Sequence, residues 1–380
     1  MSLQAGKETN FGAAFRELIG GAQHVDLRSK AFAYFEANGF PTPRDEDWKY
    51  TNVSSVVSDK WTVGATDNGQ RITESDLAIL DRFRFDRNGF TALNLAFADV
   101  KVVRIAKETS VVEPIIFTFE GEDGKATFPH IVVIAEAGSK ATIVETYASQ
   151  VKSFTNAAIQ LIVEDNASVT HYRVQKESPE SFNYGVTEVS LGRGSLYNST
   201  NINIGGGLTR HDIDVKFTAE GGEAWVDGLY MLNGSQHHDT HSIIDHTVPN
   251  CLSHQTYKGV LNDRSRAVFN GKVFVRENAH GTDAQQSNKN LLLSNDARVD
   301  TKPQLEIFND DVKCSHGATV GQLEEEELFY LLTRGLPEPL ARNLLTYGFV
   351  EQIINKIGIE AIKSDLDAAV LNRLNVRLEV

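Results

Sequence analysis

Two stretches of this sequence carry residues that could do chemistry. In DDVKCSHGATVGQLEEEELF, residues 310 to 329, Cys314 and His316 stand two apart. A thiolate and an imidazole are ligands that iron and iron–sulfur centres accept. Side chains two apart on a strand point the same way, so both can face one ion. They supply only two ligands where such centres usually take four, so the pair is at most half a site. The missing half must come from another chain or from a cluster. The same spacing also suits packing, with Cys314 a buried small hydrophobe and His316 a hydrogen-bonded core residue.

The second stretch, HHDTHSIIDH at 237 to 246, is the densest in histidine and invites a metal reading. Thr240, Ile243 and Ile244 favour a strand. Alternation then puts His237, Asp239, His241 and Asp245 on one face and His238, Thr240, Ser242 and His246 on the other. His237 and His241 would lie roughly 13 Å apart, too far to share an ion. A mononuclear site would need ligands from neighbouring coils; otherwise the stretch is a polar strand face or a subunit contact. There is no GxxxxGK[ST], no GxSxG and no HExxH, and the glycines at 205 to 207 lack the strand–turn–helix setting of a phosphate loop.

Composition narrows the classes further. The 380 residues are 41% hydrophobic and 23% charged, as in a soluble globular protein. A formal charge of −14 argues against nucleic acid or an anionic membrane as partner. No apolar run reaches the roughly 18 to 20 residues of a spanning helix, and MSLQAGKETN has no apolar signal core, so a cytoplasmic protein is expected. Two cysteines, Cys251 and Cys314, cannot build a disulfide framework or a four-cysteine zinc site.

The elements that must position these residues fall into three regions: helical over 1–100, a β core over 101–320 and helical again over 321–380. Phe11, Phe15, Leu18 and Ile19, then Ala31, Phe32 and Phe35, recur at helical spacing until Pro41 and Pro43. RDEDWKYTN, 44 to 52, reads as a surface loop with a packed aromatic anchor. From about 100 the period is two. Turn-like segments open at Gly138, Asn166, Gly194 and Gly221, at intervals of 28, 28 and 27 residues, and recur less evenly at 264, 296 and 311. Such a repeat fits a parallel β-helix whose coils cover one another; an antiparallel sandwich with hairpins of similar length fits the same turns. Beyond 320, EEEELFYLLTR ends at Gly335 and Pro337 opens the next helix. The acids Glu324 to Glu327 sit where a helix dipole favours negative charge.

Residues 300 to 353, DTKPQLEIFNDDVKCSHGATVGQLEEEELFYLLTRGLPEPLARNLLTYGFVEQI, resemble the SufD-type subunits of the SUF iron–sulfur cluster assembly scaffold, within the SufB/SufD family. EDWKYTN at 46 to 52 and DTHSIIDHTVPNCLSHQTYKGVLNDRSRAVFNGKV at 239 to 273 support the likeness, which runs over nearly the whole chain. It implies a mainly β protein, a right-handed parallel β-helix core flanked by N- and C-terminal helical regions, acting as a scaffold and not as an enzyme. It implies a SufB-like partner at the core strands and a SufC-like ATPase docked through the C-terminal helices, around residues 324 to 350. A transient iron–sulfur cluster or iron would be held at the subunit interface, with His316 as the residue facing the partner and Cys314 as a further candidate. Two readings stay beside it: a β-helix carbohydrate-active enzyme, such as a polysaccharide lyase, and a homodimer formed through the same edge.

Overall fold

One column of left-handed residues paces the chain: Glu108, Gly138, Asn166, Gly194, Gly221, Asn250 and Gly281 all have positive φ. Glycine, asparagine and few others accept that conformation at low cost. Backbone bonds join successive turns along this corner, from Gly138 N–H to Asp165 O, Asn166 to Arg193, Gly194 to Glu220 and Asn250 to His280. The structure, a computed structural model, describes residues 10–64 and 73–373. The start of the expected N-terminal helical region, 1–9, and the end of the expected C-terminal one, 374–380, therefore lie outside it.

Between these corners the chain lays down strands that alternate between two sheets, of ten and eight strands among the described residues. Every pairing is parallel. The fold is a parallel β-helix, and the hairpin sandwich is excluded. In one sheet Lys140, Ser168, Leu196, Glu223 and Leu252 stand in register on successive rungs, which is the 28-, 28-, 27- and 29-residue pace of the turns. In the other sheet Val133, Leu161, Val189, Val215, Ile244 and Val273 stack rung upon rung inside the coil. Stacking like on like gives each rung a dry floor and roof.

The outer faces are covered separately. Helices Asn10–Ile19, Val25–Asn38 and Gly89–Phe97 bury Phe11, Phe15, Phe32, Phe35 and Phe97 together with Phe154, Tyr184 and Val186 of the first sheet. Gly20 and Gly21 divide the helical run into two. On the second sheet, helix Glu338–Ile354 packs Val350, Ile353 and Ile354 against Leu229, Met231, Val260 and Leu291. Helix Glu360–Arg373 sets Leu366 against Tyr172, Val174 and Ile202. Helix Glu325–Thr333 buries nothing and leaves Phe329 68%, Tyr330 56% and Leu332 38% exposed.

Candidate functional site

The last rung of the coil is made by Arg298–Ile307 in one sheet and Val312–Gly321 in the other, and each is the final strand of its sheet. Their outer edges pair with no further strand among the described residues. Unpaired edges offer backbone donors and acceptors to another chain. Ile307, Phe308 and Val320 add exposed apolar surface at this end.

Cys314 and His316 both sit on Val312–Gly321, as the spacing suggests, in register with Ala284 and Gln286 of the rung behind. Ala284 and Gln286 are buried inside the coil, so Cys314 and His316 are on the inward-facing parity. Because no further rung covers them, Cys314 is only half-buried and His316 is exposed. The core-residue alternative for His316 fails for this reason. Burial pushes the Cys314 thiol up, with the Asp283 charge adding to it against a backbone hydrogen bond from Ala284. It therefore stays a thiol at neutral pH. Two buried oxygens close behind this end, Gln286 Oε1 and Thr301 Oγ1, have no hydrogen-bond partner.

The histidine-rich stretch is strand His237–His246, and its two faces divide as alternation requires. Inside the coil, His238 bonds Thr209 and Thr240 at 2.8 and 2.9 Å, and His246 bonds Ser253 at 2.8 Å while stacking on Phe217. Burial pushes these two imidazoles down to about 3 and about 4. On the outer face, Asp239 accepts from Thr51 at 2.5 Å and from Arg210 at 3.0 Å, and pairs with His241 at 3.1 Å. Burial alone would raise the Asp239 carboxyl, but His241 and Arg210 outweigh it and hold it well below the usual carboxylate range. No three metal-ligating side chains converge among the described residues. The metal reading of this stretch gives way to packing: His237, at 3.0 Å from the Thr51 hydroxyl, and the other three histidines are each held by hydroxyls, a carboxylate or a ring. Cys251 is likewise buried, its Sγ directed at the carbonyls of Ala219 and Pro249.

Two groups escaped the reading of the sequence. One is the setting of EDWKYTN. Trp48 is buried against Phe90 and Tyr184, Arg210 covers it, and Arg210 also reaches Asp212 Oδ1 at 2.8 Å and the carbonyl of Asp47 at 2.5 Å. Thr51 touches both Asp239 and His237. The motif is the clamp that fastens the N-terminal segment to the coil. The other is a polar chain inside the coil: His171 links Glu145 at 2.6 Å to Tyr197 at 2.9 Å, and Arg173 reaches Asn183, which donates to Glu177. Burial would raise Glu145, yet the His171 hydrogen bond and the charges of His171 and Arg173 leave it lowered. For Glu177 burial prevails and the carboxyl is raised. His171 and Arg173 share parity with the inward Val169 in SVTHYRV, the one signal that could have found them.

Two family models match the chain: the SUF system FeS cluster assembly SufBD core domain over residues 117–349, and the SufBD protein N-terminal region over 22–78. An iron–sulfur cluster assembly SufBD family protein of Synechocystis sp. is 34% identical over 345 residues, covering 87% of this chain and 75% of its own. The iron–sulfur cluster assembly protein SufD of Escherichia coli is 29% identical, covering 88% and 90%. That of Bacillus subtilis is 28% identical, covering 85% and 76%. With the open coil, its two helical covers and these matches together, the chain belongs to the SufBD family of SUF iron–sulfur cluster assembly proteins, as a SufD-type subunit.

Proposed function

We propose that this chain is a non-catalytic scaffold subunit, working in the cytoplasm, that pairs with a SufB-like subunit through its last rung and carries a SufC-like ATPase on its C-terminal helices. The nascent cluster is cargo. His316 supplies one ligand to it from this side, and the partner supplies the rest. The observation that carries the reading is the exposure of His316 on the last rung, inward by parity but with no further rung among the described residues to cover it. A two-ligand strand at an open edge is an incomplete shell that a second chain can close. Cys314, half-buried and protonated, is the weaker candidate beside it.

The exposed Phe329, Tyr330 and Leu332 support ATPase docking within the expected stretch 324 to 350. That stretch is not all surface, because Val350 and Ala341 are buried. ATP bound by the ATPase would move these helices and, through the sheet under Val350, bias the interface; such a shift needs a ligand that binds the two states differently.

The test is association. Co-expressed with a SufB-like subunit and a SufC-like ATPase, the chain should elute as one complex, and Val320→Asp should release the SufB-like subunit while Phe329→Asp releases the ATPase alone. Elution of this chain as a two-fold dimer that a SufB-like subunit leaves intact would favour self-pairing through the same edge. Retention of both partners by both variants would reject the surfaces named.

A further inference from the structure

We propose that Gln286 is a positioning residue for His316, the end of an amide ladder whose last acceptor is reserved for the imidazole. The proposal rests on the reading of His316 as a ligand, and goes beyond it to what orients that ligand. Inside the coil two stacked amides of one sheet are joined to a hydroxyl of the sheet opposite, Ser242 on His237–His246. Gln286 Nε2 donates to Gln255 Oε1 at 2.7 Å, and Gln255 Nε2 donates to Ser242 Oγ at 2.8 Å. Gln255 and Gln286 are in register on neighbouring rungs, and His316 is next in the same column. In-register amides stack so that each donates to one neighbour and accepts from the other. Gln286 follows the rule on its donating side. On its accepting side Oε1 is buried and without a partner, and the residue one rung further, about 4.8 Å away along the sheet, is His316, whose exposed imidazole makes the bond by turning inward over the rung.

The amide is also built in. A Cβ on Gly271 would lie 2.3 Å from Gln286 Nε2 and 2.7 Å from its amide carbon, so the glycine makes the space in which the amide lies. A buried, unpartnered carbonyl oxygen is unfavourable, and an imidazole N–H that donates to it removes the penalty. An imidazole that donates from one nitrogen is fixed in one tautomer, and its other nitrogen keeps a lone pair for a metal. In this account Gln286 sets which nitrogen of His316 faces the partner.

The full-length chain, with ¹⁵N-labelled histidine, tests this by long-range ¹H–¹⁵N spectra at about pH 8, where a free imidazole is neutral. His316, assigned by its loss in His316→Ala, should show one dominant tautomer, while the exposed His280 shows the mixture of a free side chain. Gln286→Met, which keeps the volume, and Gly271→Ala, which displaces the amide, should each return His316 to the mixture, with circular dichroism unchanged. In the complex with a SufB-like subunit, Gln286→Met should hold iron about tenfold more weakly, the scale expected for an outer-shell partner. A tautomer mixture at His316 in the wild-type chain, or a single tautomer that persists in Gln286→Met, overturns the proposal. Unchanged iron content in His316→Ala would instead sink the ligand reading, with the tautomer result still standing.

Discussion

Arg210 lies flat over Trp48, its guanidinium carbon 3.7 Å from the ring centroid. The contact joins residues 162 positions apart, one in the segment after the N-terminal helices and one on the coil. Arg210 stands between Asp212 and Asp239, and Trp48 between the guanidinium and Phe90. Trp48→Ala should destabilise the chain by about 3–5 kcal/mol through the cavity it leaves. Arg210→Met should cost about as much, because it takes a buried cation away from the carboxylates of Asp212 and Asp239. The double variant should cost less than the sum, since both changes break one unit. Urea unfolding of the four proteins checks this, and strict additivity would contradict it.

Much of the coil was legible because its signals are local. The left-handed corner demands Gly or Asn at a fixed pace, so Gly138, Asn166, Gly194 and Gly221 announce the rungs. Period-two alternation divides His237–His246 correctly between the inside and the outside. By contrast, nothing near Trp48 points to Arg210, nor anything near Thr51 to Asp239, because the packing of the N-terminal segment on the coil brings them together. For the candidate site, the strand and the shared direction of Cys314 and His316 were readable from spacing. That the rung is uncapped, which decides between a core histidine and an exposed one, depends on how many strands each sheet has. Gln286 gave no sign at all, being thirty positions from His316 and polar inside a coil.

The corner column makes its own prediction. Asn166, at φ 56, should accept glycine with little change, whereas Asn166→Val should cost about 1–2 kcal/mol for a β-branched residue in the left-handed region. Equal thermal midpoints for the two variants would remove the corner from the account.

Acid should weaken the fold early. Burial pushes His130, His238 and His246 down to about 4, about 3 and about 4, while an unfolded histidine titrates near 6.5. Between those values the unfolded chain binds more protons, so stability rises with pH and is lost as pH falls. From pH 7 to pH 5 each of the three should cost about 2 kcal/mol. His246→Gln should remove about that much of the slope in urea midpoints measured across this range. An unchanged slope would show that His246 is not held neutral.

The C-terminal helices should separate into an anchor and a docking face. Ile354→Ala should cost about 2–5 kcal/mol, because the side chain is fully buried against the second sheet. Tyr330→Ala, on a helix that buries nothing, should change stability by less than about 0.5 kcal/mol, yet reduce ATPase co-purification. A large stability loss in Tyr330→Ala would show that this helix is part of the core.

Iron and acid-labile sulfide per complex, measured after anaerobic purification of this chain with a SufB-like subunit and a SufC-like ATPase, report whether His316 is a ligand. His316→Ala should lose much of both with the complex intact, and His316→Cys, which restores a ligand at the same place on the rung, should recover part of them. Wild-type amounts of iron and sulfide in an intact His316→Ala complex would contradict that role.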